Sequence, residues 1–192
     1  MYALLLLCRR EVSTSLARGA PSLLVQSIWD LGGSKDFLDM LPMVCVDAVA
    51  VLFLFDLSNP SSLSSVREWY RQVRLLNKSA LPFLVGCKFD VFYEMDASQQ
   101  EAITKQARKF ARAMKAPLIL NSSKEVINVQ KIFKLVFCQV FNVTPTIPEV
   151  TDPGMPIIEY KSAMAARASS ASSAASSSGP GGDEDGESGG RG

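Results

Sequence analysis

Apolar positions between residues 23 and 143 fall into two alternating kinds of run. Four runs are short, continuous and mostly aliphatic or β-branched: Leu23 to Trp29, Ala48 to Asp56, Pro82 to Cys87 and Leu118 to Asn121. The stretch Ala48-Val49-Ala50-Val51-Leu52-Phe53-Leu54-Phe55 is apolar throughout, the mark of a strand covered on both faces. Three other runs repeat at helical spacing. Asn59 and Pro60 predict a cap and first residue, after which Leu63, Val66, Tyr70, Val73 and Leu76 share one face. Ser98 with Glu101 fits a capping box; Ile103, Ala107, Phe110 and Met114 then carry the apolar stripe until Pro117 ends it. Asn128 is placed to cap a last helix with Val129, Ile132, Phe133, Val136 and Val140 inward. This alternation predicts an α/β fold, a mainly parallel sheet with helices on both faces.

The pattern also divides the chain. Residues 1–22 read as an atypical N-terminal segment and residues 23–143 as the folded domain. Residues 144–160, punctuated by Pro145, Pro148, Pro153 and Pro156, read as a bridge. From Lys161 the chain is Ser, Ala and Gly, then the acidic run Asp183-Glu184-Asp185-Gly186-Glu187. Such a segment buries too little apolar surface to offset its ordering entropy, so residues 161–192 are expected to be a disordered tail.

Composition narrows the chemistry. The sequence has no histidine, which excludes Ser/His/Asp and Cys/His nucleophilic machinery and argues against a zinc site. Phosphoryl transfer survives that filter, because it relies on backbone amides, lysine, magnesium and a positioned water. The net charge of +1 gives no general drive towards nucleic acid or an anionic membrane. Cys8, Cys45, Cys87 and Cys138 have no metal-ligand spacing and read as small buried hydrophobes in a reducing compartment. The apolar stretch Tyr2 to Cys8 is too short to span a bilayer, and its basic pair, Arg9-Arg10, follows it. No prenylatable cysteine stands near Gly192, so neither a membrane span nor a lipid anchor is expected, and the chain reads as soluble and cytoplasmic.

Two aspartate motifs close strand-like runs. Trp29-Asp30-Leu31-Gly32-Gly33 follows the first, and Cys87-Lys88-Phe89-Asp90 follows the third, about 60 residues later. Ligands of a parallel sheet gather at the carboxyl ends of its strands, where both motifs lie. Asp30 would hold magnesium through water, and the Gly33 amide would sense a γ-phosphate. The glycine pair would give the backbone freedom to swing when that phosphate leaves. The carboxylate of Asp90 can accept two hydrogen bonds from the N1 and N2 edge of guanine, selecting it over adenine. Lys88 would lay its stem along the base, and the amides of Ser123 and Lys124, in Ser122-Ser123-Lys124 after the last strand-like run, could meet the guanine carbonyl. The basic residues Lys105, Arg108, Lys109, Arg112 and Lys115 on one predicted helix read as a solvated face, with an acidic partner site as the alternative.

Beyond these motifs, the runs Ile28-Trp29-Asp30-Leu31-Gly32-Gly33, Phe37 to Cys45, Glu68-Trp69-Tyr70-Arg71-Gln72, Pro82 to Gly86, Ala107 to Ala111 and Asn128 to Lys134 resemble the septum-promoting GTP-binding proteins of the Ras superfamily, over roughly residues 25 to 150. The resemblance implies a Ras-like P-loop NTPase fold, with residues 23–143 as a partial G domain. It implies GTP or GDP with Mg2+ as ligands. It further implies a protein kinase effector, a GTPase-activating protein, and a location at spindle poles or the division site during septation.

Three departures bear on that implication. Residues 1–22 contain no Gly-x-x-x-x-Gly-Lys-Ser/Thr phosphate loop and no recognisable first switch, so the chain reads as truncated before the family's first strand. Ser34 stands where many Ras-like proteins place the glutamine that positions the attacking water, and its shorter side chain implies slow hydrolysis. Cys87 replaces the usual asparagine of the base motif. Without the family's first strand, a gap would open between the strands ending at Asp30 and Asp56. Tyr2 to Cys8 could fill a buried position there, or pair at the edge beside Leu23 to Trp29. Two functional readings stand: a guanine-nucleotide switch, and a nucleotide-free interaction module or fragment.

Overall fold

The computed structural model of the chain describes residues 5–12 and 24–176, with side-chain surroundings over 27–169. Strands β1 (Leu5–Val12) and β2 (Leu24–Leu31) come first, followed by a 3₁₀ helix (Lys35–Met40) and the short α1 (Leu41–Cys45). Then come β3 (Ala48–Asp56), α2 (Ser61–Leu76), β4 (Leu81–Cys87), α3 (Phe89–Tyr93), α4 (Ala97–Met114), β5 (Leu118–Leu120), α5 (Val129–Val140), β6 (Ile158–Glu159) and α6 (Lys161–Ser176). The sheet order is β2-β1-β3-β4-β5-β6. The pairs β3–β4 and β4–β5 are parallel, whereas β1 is antiparallel to both β2 and β3, and β6 to β5. Strands β2, β3, β4 and β5 therefore point one way, as the alternation predicts, and their carboxyl ends share one edge.

The gap between β2 and β3 is filled. Leu5 lies opposite Leu31 on one side and Phe53 on the other, and Cys8 opposite Ile28 and Ala50, with a register shift against β3 between Cys8 and Arg9. Of the two placements left open for Tyr2 to Cys8, the interior one is adopted from Leu5 onward. Residues Tyr2 to Leu4 lie outside the described residues. The physical reason is that β2 and β3 both present unpaired N–H and C=O groups along a facing edge, which must be satisfied.

The all-apolar β3 divides its side chains between two cores. Val51, Phe53 and Phe55 join Leu63, Val66, Trp69 and Val73 of α2 and Ile103, Ala107, Ala111 and Met114 of α4 on one face. Ala50 and Leu52 join Phe83, Val85, Ile119 and α5's Ile132, Leu135 and Val136 on the other. Period-two alternation explains the division, because successive strand side chains point to opposite faces.

Several local expectations change. Leu76 is exposed, since α2 runs past the core there, while Trp69 is buried. α4 starts at Ala97 with Asp96 in the cap position, so Ser98 is inside the helix and makes no capping box. Asn128 precedes α5 in a left-handed conformation, but its amide donates to the Leu120 and Pro156 carbonyls instead of capping the helix. α2 starts at Ser61 with Pro60 in the cap position, and Asn59 stands one residue before the cap, its Oδ1 accepting from the Ser61 amide and hydroxyl. Where composition suggests a structureless tail, residues 161–176 form α6: Ala is a strong helix former, Ala163 is buried, Met164 packs on the α5-side core, and Arg167 donates to Gln139 Oε1. Residues 177–192, including the acidic run, lie outside the described residues.

One buried amide pins the end of the sheet opposite the aspartate motifs. Asn77 Nδ2 stands 2.8, 3.1 and 2.9 Å from the carbonyls of Cys45, Val46 and Ala48, and its Oδ1 accepts from the amides of Ser79 and Ala80 and from the Ser79 hydroxyl. It ties α1 to β3 and shapes the α2–β4 turn. Asn77→Ala is expected to destabilise the fold by about 2–4 kcal/mol in urea unfolding, because several part-buried groups lose partners together. Asn77→Asp should be no better, since it aims an oxygen at three carbonyls. At Gly86 a Cβ would lie 2.7 Å from Leu120 Cδ2 and 2.9 Å from Phe55 Cζ, so Gly86→Ala is expected to lower the urea midpoint by an amount equivalent to about 1–3 kcal/mol.

Candidate functional site

The carboxyl ends of β4 and β5 carry one preorganised unit. The Asn121 amide donates to the Gly86 carbonyl at 2.8 Å, and the Phe89 amide donates to the Asn121 carbonyl at 3.0 Å, so the two loops are stitched through backbone. Phe89 is buried and anchors the loop in the core. Asp90, next in the chain, is thereby held at the surface. The fully buried Ser122 donates its hydroxyl to Asp90 Oδ1 at 2.6 Å and accepts from the Glu125 amide at 3.1 Å. That bond from Ser122 is the first cause holding the Asp90 carboxyl below its usual range, against the opposing effect of burial, with its own backbone amide and the charges of Lys124 and Lys88 adding less. Asp90 is therefore anionic at neutral pH, with Oδ2 directed to no bond from Ser122. Ser122 pairs with Ile127 across a short loop, within which Val126 has φ 56°, a strained conformation for a β-branched residue. A cleft of about 300 Å³ opens beside this unit, lined by Asp90, Tyr93, Lys124 and Ile127 among others.

Lys88 takes a different partner from the one its motif suggests. Its backbone is left-handed at φ 64°, and its Nζ lies 2.6 Å from Asp56 Oδ2. Asp56 is buried at the end of β3, directly opposite Cys87 in the parallel register. Burial by itself raises the Asp56 carboxyl. The bond from Lys88 and those from the Ser58 hydroxyl (2.5 Å) and amide (2.9 Å) outweigh it and leave the group below its ordinary range. Burial, and then the charge of Asp56, push the Cys87 thiol up to about 12, so it stays protonated. Asp56 belongs to none of the motifs that the sequence offers. Its signal was a carboxylate ending an otherwise apolar strand before a Ser-containing turn. The same holds for Asn121: it is buried, and its Oδ1 has no hydrogen-bond partner among the described residues.

The first aspartate motif lies apart. Asp30 is exposed near the end of β2, and β1 and β3 separate β2 from β4, which places the ends of β2 and β4 about 14 Å apart across the sheet. At Gly32 a Cβ would stand 2.7 Å from the Phe37 ring, so any larger residue would make that ring shift. Ser34 caps the 3₁₀ helix: its hydroxyl donates to Asp36 Oδ2 at 2.7 Å and accepts from the Asp36 amide at 3.4 Å. Ser123 and Lys124 are exposed, with Lys124 Nζ 3.9 Å from Glu125. Thus Lys88, Asp90, Ser122, Ser123 and Lys124 are gathered at the ends of β4 and β5, while Asp30, Gly33 and Ser34 form a second group beyond β1. No group of three metal-ligating side chains exists among the described residues, and no helix there is long and apolar enough to cross a membrane. Among the described residues no cluster of carboxylates meets at Asp30, so a magnesium ion there would have to take most of its oxygens from a bound phosphate and water.

Comparison with known proteins accounts for this layout. The Ras family model matches residues 15–142. Septum-promoting GTP-binding protein 1 of Schizosaccharomyces pombe is 58% identical over 134 residues, covering 70% of this chain and 68% of that protein. GTP-binding protein rho4 of the same organism is 28% identical over 131 residues, covering 64% of each chain. Ras-related protein Rab-30 of Homo sapiens is 27% identical over 116 residues, 60% of this chain and 55% of its own. The chain thus spans between about half and two thirds of the length of these relatives. With the base-motif unit at the ends of parallel strands and this degree of identity, the chain belongs to the Ras family and, within it, to the septum-promoting GTP-binding proteins.

Proposed function

We propose that this chain is a septation-type signalling module whose β4–β5 end reads the guanine base. One observation carries the reading: Asp90 is ionised, fixed by buried Ser122, and presented beside a cleft. Guanine would place its N1–H and N2–H on the Asp90 carboxylate, and the exposed amides of Ser123 and Lys124 would meet its carbonyl oxygen. Asp56 keeps the Lys88 ammonium at the rim of the site, from which its stem would flank the base. Ras family proteins carry GTP or GDP with Mg2+. Here Asp30 would meet that ion through water and the Gly33 amide would meet the γ-phosphate. The partners would be a protein kinase effector and a GTPase-activating protein, met in the cytoplasm at spindle poles or the division site. With base contacts supplying most of the affinity, Kd is expected between about 1 mM and about 50 μM.

A second reading, a nucleotide-free interaction module, is favoured by β1. That strand runs against β2 and β3, so its amino end, not a loop leading into a helix N-terminus, lies among the carboxyl ends of its neighbours. A phosphate cradle of backbone amides needs the opposite polarity.

Titration with a fluorescent GDP analogue, with and without EDTA, separates the readings. Saturable binding competed by GDP but not ADP supports the first, and Asp90→Asn should then cut guanine preference at least about tenfold. No binding at millimolar analogue, with the fold intact, leaves the interaction module. The Asp56–Lys88 pair makes a separate prediction about pH. The Asp56 carboxyl is lowered from its ordinary value of 3.8, so its stabilising contribution is fully present above that value and is lost as pH falls through the lower folded value. Thermal unfolding should show stability falling in that acid window, and Asp56→Asn should remove this dependence while costing about 1–3 kcal/mol at neutral pH.

A further inference from the structure

At the end of the sheet opposite the aspartate motifs, a cleft of about 310 Å³ is lined by Tyr70, Arg74, Lys78, Lys115 and Arg167 together with small and apolar residues, and among the described residues no carboxylate lines it. Four cations from α2, the α2–β4 turn, the end of α4 and α6 thus converge. Arg74 is fixed in place: its Nη1 donates to the carbonyls of Lys78 and Ala80 at 2.8 and 2.9 Å, and its guanidinium stacks 5.1 Å over the Tyr70 ring. These contacts satisfy its geometry without neutralising its charge. Helix dipoles account for a cation at the ends of α2 and α4, where Arg74 and Lys115 lie, but not for Lys78 in a turn or Arg167 inside α6. Arg167, half-buried, is shifted down by burial and then by the charge of Arg74, the direction expected of cations crowded together.

The sequence supplies a matching anion. Residues 1–176 carry 19 Lys and Arg against 15 Asp and Glu, whereas residues 177–192 carry one Arg against four acids, all in the run Asp183-Glu184-Asp185-Gly186-Glu187. Arg167 lies about 14 Å along α6 from Ser176, and Asp183 is seven residues further on, a reach of up to about 24 Å. The chain can therefore return the acidic run to the cleft. We propose that the acidic run Asp183 to Glu187 docks in the basic cleft formed by Arg74, Lys78, Lys115 and Arg167 of the same chain. The docked run neutralises the cleft and denies it to other acidic segments. Because the cleft is at the far end of the sheet from Asp90, the contact leaves the guanine-reading end open and holds whether or not nucleotide binds.

Carbodiimide coupling of the full chain, which joins a lysine amine to a carboxylate in direct ion-pair contact, tests the contact by peptide mass spectrometry. The expected products join the acidic run to Lys78 or Lys115 within one chain, and their yield falls about tenfold between about 50 mM and about 500 mM NaCl as the pairs are screened. Lys78→Gln, a change at an exposed turn residue, should remove the Lys78 product and lower the Lys115 yield several-fold while circular dichroism is unchanged. Replacing the four acids (Asp183→Asn, Glu184→Gln, Asp185→Asn, Glu187→Gln) should abolish it. Products spread evenly over Lys105, Lys109, Lys131 and Lys134 would overturn the proposal. So would products found only between two chains, which would make a second copy the occupant.

Discussion

Continuity of backbone hydrogen bonding across the sheet is the constraint on which this fold depends. β3 is apolar on both faces and central, so both of its edges must be paired inside the protein, where no water can substitute. β4 satisfies one edge in parallel. β1 satisfies the other in antiparallel fashion and simultaneously closes the facing edge of β2. The direction of β1 shapes the edge where the aspartate motifs lie. A strand of reversed polarity completes the hydrogen bonds, but it sends its carboxyl end away from the edge where the ligand motifs collect. The sheet is thereby whole while its ligand edge is built from β2, β3, β4 and β5 alone.

Within that edge, the described fixing contacts gather at β4 and β5. The base-motif loops are fixed by main-chain bonds between Gly86, Phe89 and Asn121 and by the Ser122–Asp90 bond. Lys88 is secured by a buried carboxylate, Asp56, contributed by the neighbouring strand. The opposite flank, from Asp30 to Ser34, rests on Gly32 against Phe37 and on the Ser34 cap, with Trp29, Phe37, Met40 and Met43 exposed around it. A domain organised in this way keeps the β4–β5 unit and the Asp30–Ser34 segment physically separate, joined only through the sheet.

The far end of the sheet has its own logic. Asn77 gathers three carbonyls from the α1–β3 connection, while Arg74 gathers two from the next turn. Arg74 therefore has a structural role in addition to contributing charge. The convergence of Lys78, Lys115 and Arg167 beside it turns a fold-closing feature into an electropositive surface. Charge segregation between residues 1–176 and the acidic run gives that surface a complement within the same chain.

The local pattern sufficed for the elements whose signal is periodic: β3, β4 and β5, the three long helices α2, α4 and α5, their inward faces, and the family, which rests on dense runs of identical residues. It also placed Asp90, Lys88 and Ser122 at strand ends. Caps at Ser98 and Asn128 were misjudged because cap geometry depends on where the preceding loop directs the backbone, which Asp96 and the Leu120 and Pro156 carbonyls decide. α6 was not anticipated because its Ser and Ala pattern carries no amphipathic signal; its order comes from Ala163, Met164 and Arg167 meeting the rest of the domain. The sequence by itself determined which segments are strands and helices and which motifs end them, since those follow from spacing along the chain. Only the tertiary structure decided that β1 lies reversed inside the sheet, that Asp56 holds Lys88, and that four cations share one cleft, because each of these depends on residues far apart in sequence meeting across a hydrogen-bonded or packed surface.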